Sequence, residues 1–239
     1  MGRPALSHLA LSHLALLQLA DSALPTGAFS HSFGLEAYLE TGEVHDEATL
    51  LAWLEGFLAT QLTHTDAVAV LRAARAVGAS GAVDLAGIAA LDEELTALLV
   101  PAQVRAASLK MGRRVLELSR EAFPSEAVGA YADAVAAGEC AGHYAIAFGL
   151  AGAGQGVDEE TLVGACLYST LTSLAYNAVR AIPLGQLAGQ RVLATLRAQV
   201  PPAVERSRTA DPRHFGAAAP ALEVHQMRHE HQRARIFMS

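Results

Sequence analysis

Apolar side chains recur at helical spacing through the first third of the chain. The clearest stripe has the 3.6-residue period of one helix face and comprises Leu50, Leu51, Leu54, Phe57, Leu58 and Leu62. Asp46 precedes this stripe, and its short carboxylate is suited to capping the first backbone N–H groups of a helix. The pattern predicts a helix that begins after Asp46 and ends before Gly78, with a break near residues 63–65.

Similar patterns predict helices through most of the remaining chain. Their expected ranges are 14–19, 85–99, 102–120, 124–138, 159–182 and 184–200. Asp84 and Asp158 are placed to cap two of these helices, whereas Pro101, Pro183 and Pro201 mark boundaries. Ala and Leu, which favour helix, supply much of the 52% hydrophobic content. We therefore expect an all-α fold, a single-domain helical bundle over 1–200, followed by a partner-binding segment over 201–239.

Residues 21–42 predict a helical corner. The segment 24–27 (LPTG) is a turn signature, because Pro presets φ and Gly permits positive φ. Ser30 or Ser32 could cap the helix that follows, and Gly42 is suited to end it. Glu36 falls in the first turns of that helix, where the macrodipole favours an acid.

Gly112 and its neighbours stand out within the predicted helix 102–120. Glycine inside a helix costs about 1 kcal/mol relative to Ala, so we expect another helix to approach closely at Gly112. Arg113 and Arg114 are most simply solvated charges, with a partner contact as the alternative. Lys110 is the only lysine in the chain and lies in no phosphate-binding motif.

Two apolar stretches raise the question of a membrane. Residues 161–179 carry no charge and approach membrane-span length, but their Ser, Thr and Asn content favours a buried central helix. Residues 3–20 loosely resemble a signal peptide, although His8, His13 and Gln18 interrupt the apolar run. We expect a cytoplasmic protein without a membrane segment.

Charge and cysteine content exclude other classes. The net charge of −7 argues against nucleic-acid binding. Two cysteines, Cys140 and Cys166, do not make a disulfide framework. Cys140 and His143 have a spacing that could bind a metal, but without a second such pair a buried cysteine beside a core histidine is favoured.

The C-terminal histidines are weak metal candidates. His225 and His229 are four residues apart, so a helix would place them on one face, and Met227 and His231 lie close by in sequence. Two imidazoles make a weak site, and a solvated helix face is the competing interpretation. A helical metal-binding protein is therefore the alternative function.

The chain lacks the motifs of the common catalytic sites. It contains no P-loop, nucleophile elbow, H-E-x-x-H or paired C-x-x-C. Ser30, His31 and Ser32 are adjacent, and neighbours on a helix point about 100° apart, so they are poor catalytic partners. A hydrolase using His31 or His143 is a distant alternative, and the sequence favours a protein that is not an enzyme.

Several separated motifs resemble the urease accessory protein family UreF. The residues that match its signature are Pro25, Gly27, Phe29, His31, Ser32, Gly34, Leu35 and Glu36. Further similar blocks are 108–116, 142–149, 168–190 and the C-terminus 229–239. The resemblance implies an all-α, homodimeric protein.

The resemblance also implies a function in assembly. Members of this family bridge UreD (also called UreH), bound to apo-urease, and the GTPase UreG, and couple GTP hydrolysis to nickel delivery. No stably bound cofactor is implied, because nickel is handled by the complex as a whole.

The resemblance assigns roles to particular residues. Those implied to bind partners are Phe29, His31, Glu36, Glu230, Arg235, Ile236, Phe237, Met238 and Ser239. Those implied to serve the fold or the dimer are Pro25, Gly27, Gly34, Tyr168, Asn177, Arg180 and Pro183. From the residues themselves, Asn177 and Arg180 are polar positions in apolar sequence, suited to bracing neighbouring helices through hydrogen bonds.

The last 39 residues differ in charge from the rest. Residues 201–239 hold six Arg against four acids, a balance of +2, so residues 1–200 carry −9. The apolar end, Ile236-Phe237-Met238, needs a receptor, either on the chain's own body or on a partner. We expect this tail to be mobile in the free chain and to become ordered when UreD binds.

Overall fold

Helices account for nearly all the regular structure of this protein. The computed structural model describes residues 4–216, 219–233 and 235–238, and the side chains among them from residue 11 onward. The α-helices are α1 (Pro4–Leu19), α2 (Leu35–Glu40), α3 (Glu47–Phe57), α4 (Ala67–Arg75), α5 (Leu85–Leu98), α6 (Ala102–Ala122), α7 (Glu126–Ala137), α8 (Tyr144–Gly154), α9 (Glu159–Ala181), α10 (Gln186–Thr209) and α11 (Pro220–His229). Within the described ranges the only strand-like pairing is an isolated bridge between Val77 and Val83, so the predicted all-α fold is confirmed.

Aspartate caps begin the helices where the sequence predicts them. Asp46 accepts a hydrogen bond from Thr49 N (2.8 Å), and the Thr49 hydroxyl accepts one from Asp46 N, completing a capping box. Asp84 and Asp158 cap α5 and α9 by accepting hydrogen bonds from Gly87 N and Thr161 N. Removing such a cap typically costs about 1 kcal/mol, so these residues set the helix starts.

The predicted break near residues 63–65 is wrong. The chain stays helical from α3 to α4, and Leu58–Asp66 adopts the wider π-helix. The Thr63 hydroxyl donates to the carbonyl of Leu58, five residues earlier, at 2.5 Å. A threonine hydroxyl that bonds to a preceding carbonyl competes with the helix hydrogen bonds without ending the helix. The polar segment therefore changes the helix from α to π but does not interrupt it.

Helix α9 lies at the centre of the packing. It contacts α4, α8 and α10, and Leu167, Leu171 and Leu174 on its inner face are fully buried. The expectation that residues 161–179 form a buried central helix is therefore confirmed. In the part of the chain that the structure describes, α9 is also the one helix whose length and composition would allow it to cross a membrane.

Gly112 lies where α6 meets the start of α8, as its position in the sequence predicts. A Cβ atom placed on Gly112 would lie 2.2 Å from the carbonyl oxygen of Gly142 and 2.5 Å from the carbonyl carbon of His143. Both neighbours are backbone atoms and have little freedom to move. Glycine is thus required for the close approach of these two helices.

The predicted end of a helix at Val200 is also wrong. Helix α10 runs to Thr209 with Pro201 and Pro202 inside it. An interior proline costs about 3 kcal/mol or more, but Val200 and Val204 are buried and pack against Gly164 of α9. Burial of this helix face outweighs the local preference, so the chain remains helical through Pro201 and Pro202.

Candidate functional site

The signature segment forms a tight turn before α2. Gly27 has φ of 86°, and the Ser30 hydroxyl donates to its carbonyl at 2.7 Å across a 3₁₀ turn, Ala28–Ser30. A Cβ atom on Gly27 would meet nothing within 4 Å, so the glycine is required by its positive φ and not by crowding. Pro25 is exposed, and its carbonyl accepts a hydrogen bond from Arg114 Nε at 3.2 Å.

Gly34 joins this turn to α2 under the C-terminal helix. Its φ is 93°, and a Cβ atom there would lie 2.7 Å from Cγ of Gln226 in α11. The Gln226 amide donates to the carbonyl of Phe33 at 3.0 Å. Gly34, and not Ser30 or Ser32, occupies the N-cap position of α2, while the Ser32 hydroxyl accepts a long hydrogen bond (3.4 Å) from Glu36 N in the first turn of that helix.

Two residues of α9 hold the turn in place. Asn177 Nδ2 donates to the carbonyl of His31 at 2.8 Å, and an Arg180 amino group donates to the carbonyl of Phe29 at 2.9 Å. The same Arg180 nitrogen donates to Asn177 Oδ1 at 2.7 Å. Asn177 and Arg180 thus brace the signature turn through hydrogen bonds, whereas the sequence suggests bracing between neighbouring helices.

Glu36 is the buried acceptor at the centre of the site. His229 Nε2, at the end of α11, lies 2.7 Å from Glu36 Oε2, and both side chains are almost fully removed from solvent. The backbone N–H groups of Ile236 and Phe237 donate to the two oxygens of the same carboxylate. The sequence places Glu36 near a helix start for electrostatic reasons, whereas its main contacts are with the C-terminal tail.

The C-terminal tail, residues 235–238, docks on the chain's own body. Phe237 is buried, with the Arg180 guanidinium 5.4 Å from its ring centre, and Met238 N donates to the carbonyl of Ser30 at 2.7 Å. The prediction that the tail is mobile in the free chain therefore differs from the structure, in which the tail is docked on the single chain. The reason is that Glu36 and Ser30 supply the acceptors that the tail backbone needs.

Docking buries one apolar side chain of the tail and leaves its neighbours in solvent. Ile236 is 69% exposed and Met238 is 53% exposed, while Phe29 on the adjoining turn is 62% exposed. We call Phe29, Ile236 and Met238 the tail surface. Single exposed apolar residues are ordinary, but three of them on one braced unit favour a surface for protein contact.

His31 lies beneath the tail surface. It is buried, and burial together with the nearby positive charge of Lys110 lowers the pKa of His31 to about 4. The side chain is therefore neutral near pH 7. This environment suits a structural imidazole under the turn better than a general base.

The remaining residues predicted for partners or for the dimer are distributed over α9, the connection from α9 to α10, and the segment after α11. Glu230 follows α11 and is exposed, as is Arg235 in the tail, whereas Ser239 lies outside the described residues. Tyr168 is half-buried in α9, and Pro183 is exposed between α9 and α10. The structure does not bring these residues into one site.

The C-terminal histidines contact different groups. The His225 ring stacks on Tyr38 with centroids 3.9 Å apart, and its Nε2 lies 3.4 Å from Glu43. His229 contacts Glu36 through Nε2, and its Nδ1 lies 2.8 Å from the side-chain oxygen of Gln103. His231 is exposed. Across the described residues, no group of three or more His, Cys, Asp or Glu is arranged to hold a metal ion.

His143 is a core histidine, as favoured from the sequence. Its ring nitrogens lie 2.8 Å from the Thr96 hydroxyl and 3.0 Å from the Ser108 hydroxyl. Burial lowers the pKa of His143 to about 4, although Asp92 opposes the shift. Burial also raises the pKa of the Cys140 thiol to about 11, which disfavours the thiolate that a metal would need.

Sequence reasoning missed Asp92, which organises this core cluster. Its buried carboxylate accepts hydrogen bonds from the Tyr131 hydroxyl and from the backbone N–H groups of Ala141 and Gly142. In the sequence Asp92 precedes two glutamates and looks like part of a solvated helix face. No local signal separates it from them, because its partners lie 39 to 50 residues away.

Comparison with known proteins identifies the family. The UreF family model matches residues 44–197. The urease accessory protein UreF of Arthrobacter sp. (strain FB24) is 49% identical, over 92% of this chain and 94% of its own length. Those of Paenarthrobacter aurescens (strain TC1) and Kocuria rhizophila are 47% and 44% identical over 92% of this chain and 95% and 94% of their own lengths. The chain belongs to the UreF family of urease accessory proteins.

Proposed function

We propose that this chain is a non-catalytic adaptor in urease maturation. It bridges UreD/UreH, bound to apo-urease, and the GTPase UreG, and so couples GTP hydrolysis to nickel delivery. The family supports a role beside urease and not as its catalytic subunit. The observation that carries the proposal is the Glu36-held tail, because it presents Ile236 and Met238 to solvent beside the exposed Phe29 of the signature turn.

The geometry explains why such a surface can act as a docking platform. The tail is joined to the signature turn by the bond from Met238 N to Ser30, and Arg180 contacts both Phe29 and Phe237. A partner that covers Ile236 and Met238 therefore meets groups that are already ordered. Preorganisation removes about 1–2 kcal/mol of backbone entropy cost for each residue that would otherwise be fixed on binding.

The chemistry of the reaction belongs to the partners. In this proposal UreG hydrolyses GTP, nickel is the cargo of the complex, and this chain positions UreG against the apo-urease assembly. We also propose that the chain is a homodimer in the cytoplasm. Leu11, Leu14 and Leu17 form an exposed row at helical spacing on α1, which offers apolar area for contact between copies.

Size-exclusion chromatography of the purified proteins tests the proposal. The full chain should co-elute with UreD/UreH and UreG, whereas a variant lacking residues 230–239 should not. Circular dichroism and light scattering on the same variant should show a folded dimer, which would separate loss of docking from loss of fold. If the truncated chain assembles as well as the full chain, the tail is not the docking element and the proposal is wrong.

A further inference from the structure

A groove beside the tail surface is positively charged, whereas the chain as a whole is negatively charged. It lies between α6 and the signature turn and has a volume of about 650 Å³. Its lining includes the apolar residues Pro25, Ala106 and Leu109 and the charged residues Lys110, Arg113, Arg114 and Glu117. Three of these are basic and one is acidic, although the whole chain has a net charge of −7. We call this the basic groove.

The positive charge of the basic groove is only partly compensated. Lys110, Arg113 and Arg114 are spaced i, i+3 and i+4 and so share one face of α6. Arg114 pairs with Glu117 at 2.6 Å, which leaves two cations. Among the described residues, no carboxylate pairs with Lys110 or Arg113: Arg113 Nε donates to the carbonyl of Ala141.

Lys110 is placed at the rim towards the tail. Its ammonium lies 3.7 Å from Sδ of Met238, a weak acceptor that cannot neutralise the charge. Like charges at helical i, i+3 and i+4 spacing destabilise a helix slightly. A ligand with carboxylates would relieve this repulsion and would reach Met238 at the same time.

We propose that the basic groove binds an acidic segment of the protein that docks on the tail surface. This inference rests on the proposed function. The volume of the groove is large enough to hold a few side chains of a bound peptide. Pro25, Ala106 and Leu109 line its apolar part. Complementary charge at such a rim steers association and fixes the orientation of the partner.

The single lysine makes a direct test possible. A carbodiimide joins a lysine amine to a carboxylate with no spacer. Because Lys110 is the only lysine in the sequence, a cross-link from a lysine of this chain can only come from the basic groove. In the complex with UreD/UreH and UreG, mass spectrometry should find Lys110 linked to an Asp or Glu of a partner. A complex that forms without any such link to Lys110 would overturn the proposal.

Charge variants give a second readout on the same complex. Lys110→Glu/Arg113→Glu should weaken the affinity at least tenfold at 50 mM NaCl, and the difference from the wild type should shrink at 400 mM. Lys110→Arg should keep the affinity and lose the cross-link. The control is Arg197→Glu on the exposed face of α10, which should change the affinity less than twofold. Equal affinity of the double variant and the wild type would overturn the proposal.

A peptide titration separates this proposal from the adaptor function. If the wild-type chain binds neither partner, the adaptor proposal fails, and the groove is then tested alone with a fluorescein-labelled peptide of alternating Glu and Leu. Saturable binding that is lost in Lys110→Glu/Arg113→Glu would support an acidic-peptide site. Absent binding, or equal binding by both proteins, would overturn it.

Discussion

Replacing Glu36 by Gln should release the C-terminal tail. The substitution keeps the size of the side chain but turns one carboxylate oxygen into an NH₂ group, which cannot accept a hydrogen bond. Three donors converge on that carboxylate, namely His229 Nε2 at 2.7 Å, Phe237 N at 3.0 Å and Ile236 N. At least one of these donors therefore loses its acceptor.

The expected loss follows from the type of bond. A hydrogen bond to a charged acceptor contributes about 1.5–3 kcal/mol and a neutral one about 0.5–1.5 kcal/mol, so two retained bonds lose about 1 kcal/mol each. The orphaned donor adds about 1 kcal/mol or more. A total near 3 kcal/mol corresponds to about a hundredfold rise in the undocked fraction of the tail.

Hydrogen exchange measures this fraction directly. The amides of Ile236 and Phe237 should exchange about a hundred times faster in Glu36→Gln than in the wild type. Glu40→Gln is the matched control, because Glu40 lies one turn later on α2 and accepts an exposed bond from the Gln232 side chain. It should change the exchange rates less than threefold. If Glu36→Gln also stays within threefold, Glu36 does not hold the tail.

Three further predictions test the frame around the site. Gly112→Ala should lower the free energy of unfolding by more than 3 kcal/mol in urea titration, since its Cβ would clash with backbone. Gly129→Ala is the control, because a Cβ there meets nothing within 4 Å, and it should raise the free energy of unfolding by about 0.5–1 kcal/mol. A Gly112→Ala variant that is more stable than Gly129→Ala would refute this packing. Burial raises the pKa of Asp66 to about 7, so the folded chain binds a proton that the unfolded chain has lost between about pH 4 and 7. Stability should therefore fall as the pH rises through that window, and Asp66→Asn should flatten the fall and gain about 2 kcal/mol at pH 8; an unchanged slope in the variant would contradict this. Arg180→Ala should speed exchange of the Phe237 amide several-fold and leave the melting temperature within 3 °C, whereas an unchanged rate would show that Arg180 does not brace the tail.

Local rules predicted the parts of the fold that depend on neighbouring residues. The caps at Asp46, Asp84 and Asp158 need only a short acceptor before a helix, so the sequence is sufficient to place them. Gly112 and the turn at Gly27 were also predictable, because few other residues tolerate a close approach or a positive φ.

Other features depend on tertiary packing and were beyond local rules. The prolines at 201 and 202 argue for a helix end, but burial of Val200 and Val204 against α9 keeps the helix intact. The buried role of Asp92 depends on a loop about 50 residues away. Such contacts leave no trace in the spacing of nearby residues.

The candidate site combines both kinds of information. Resemblance to the family pointed to Glu36 and to Phe237 separately, and the bracing by Asn177 was foreseen only as a general role. The bond between Glu36 and Phe237 N joins residues 201 positions apart, so only the folded chain shows that they form one unit. For the histidines, the sequence spacing suggests a shared site that the fold does not form, because His225 stacks on Tyr38 and His229 contacts Glu36.

The most direct test asks whether the tail surface itself contacts a partner. Phe29→Asp/Ile236→Asp changes two exposed side chains, so the fold should remain intact. Val100→Asp/Leu187→Asp is the matched control, because it adds the same two charges at exposed apolar side chains that lie outside the tail surface and outside the proposed dimer contact. Binding of UreD/UreH and UreG should be lost, by a factor of at least one hundred, in the first variant only. Wild-type affinity of Phe29→Asp/Ile236→Asp for both partners would contradict the adaptor surface proposed for this chain.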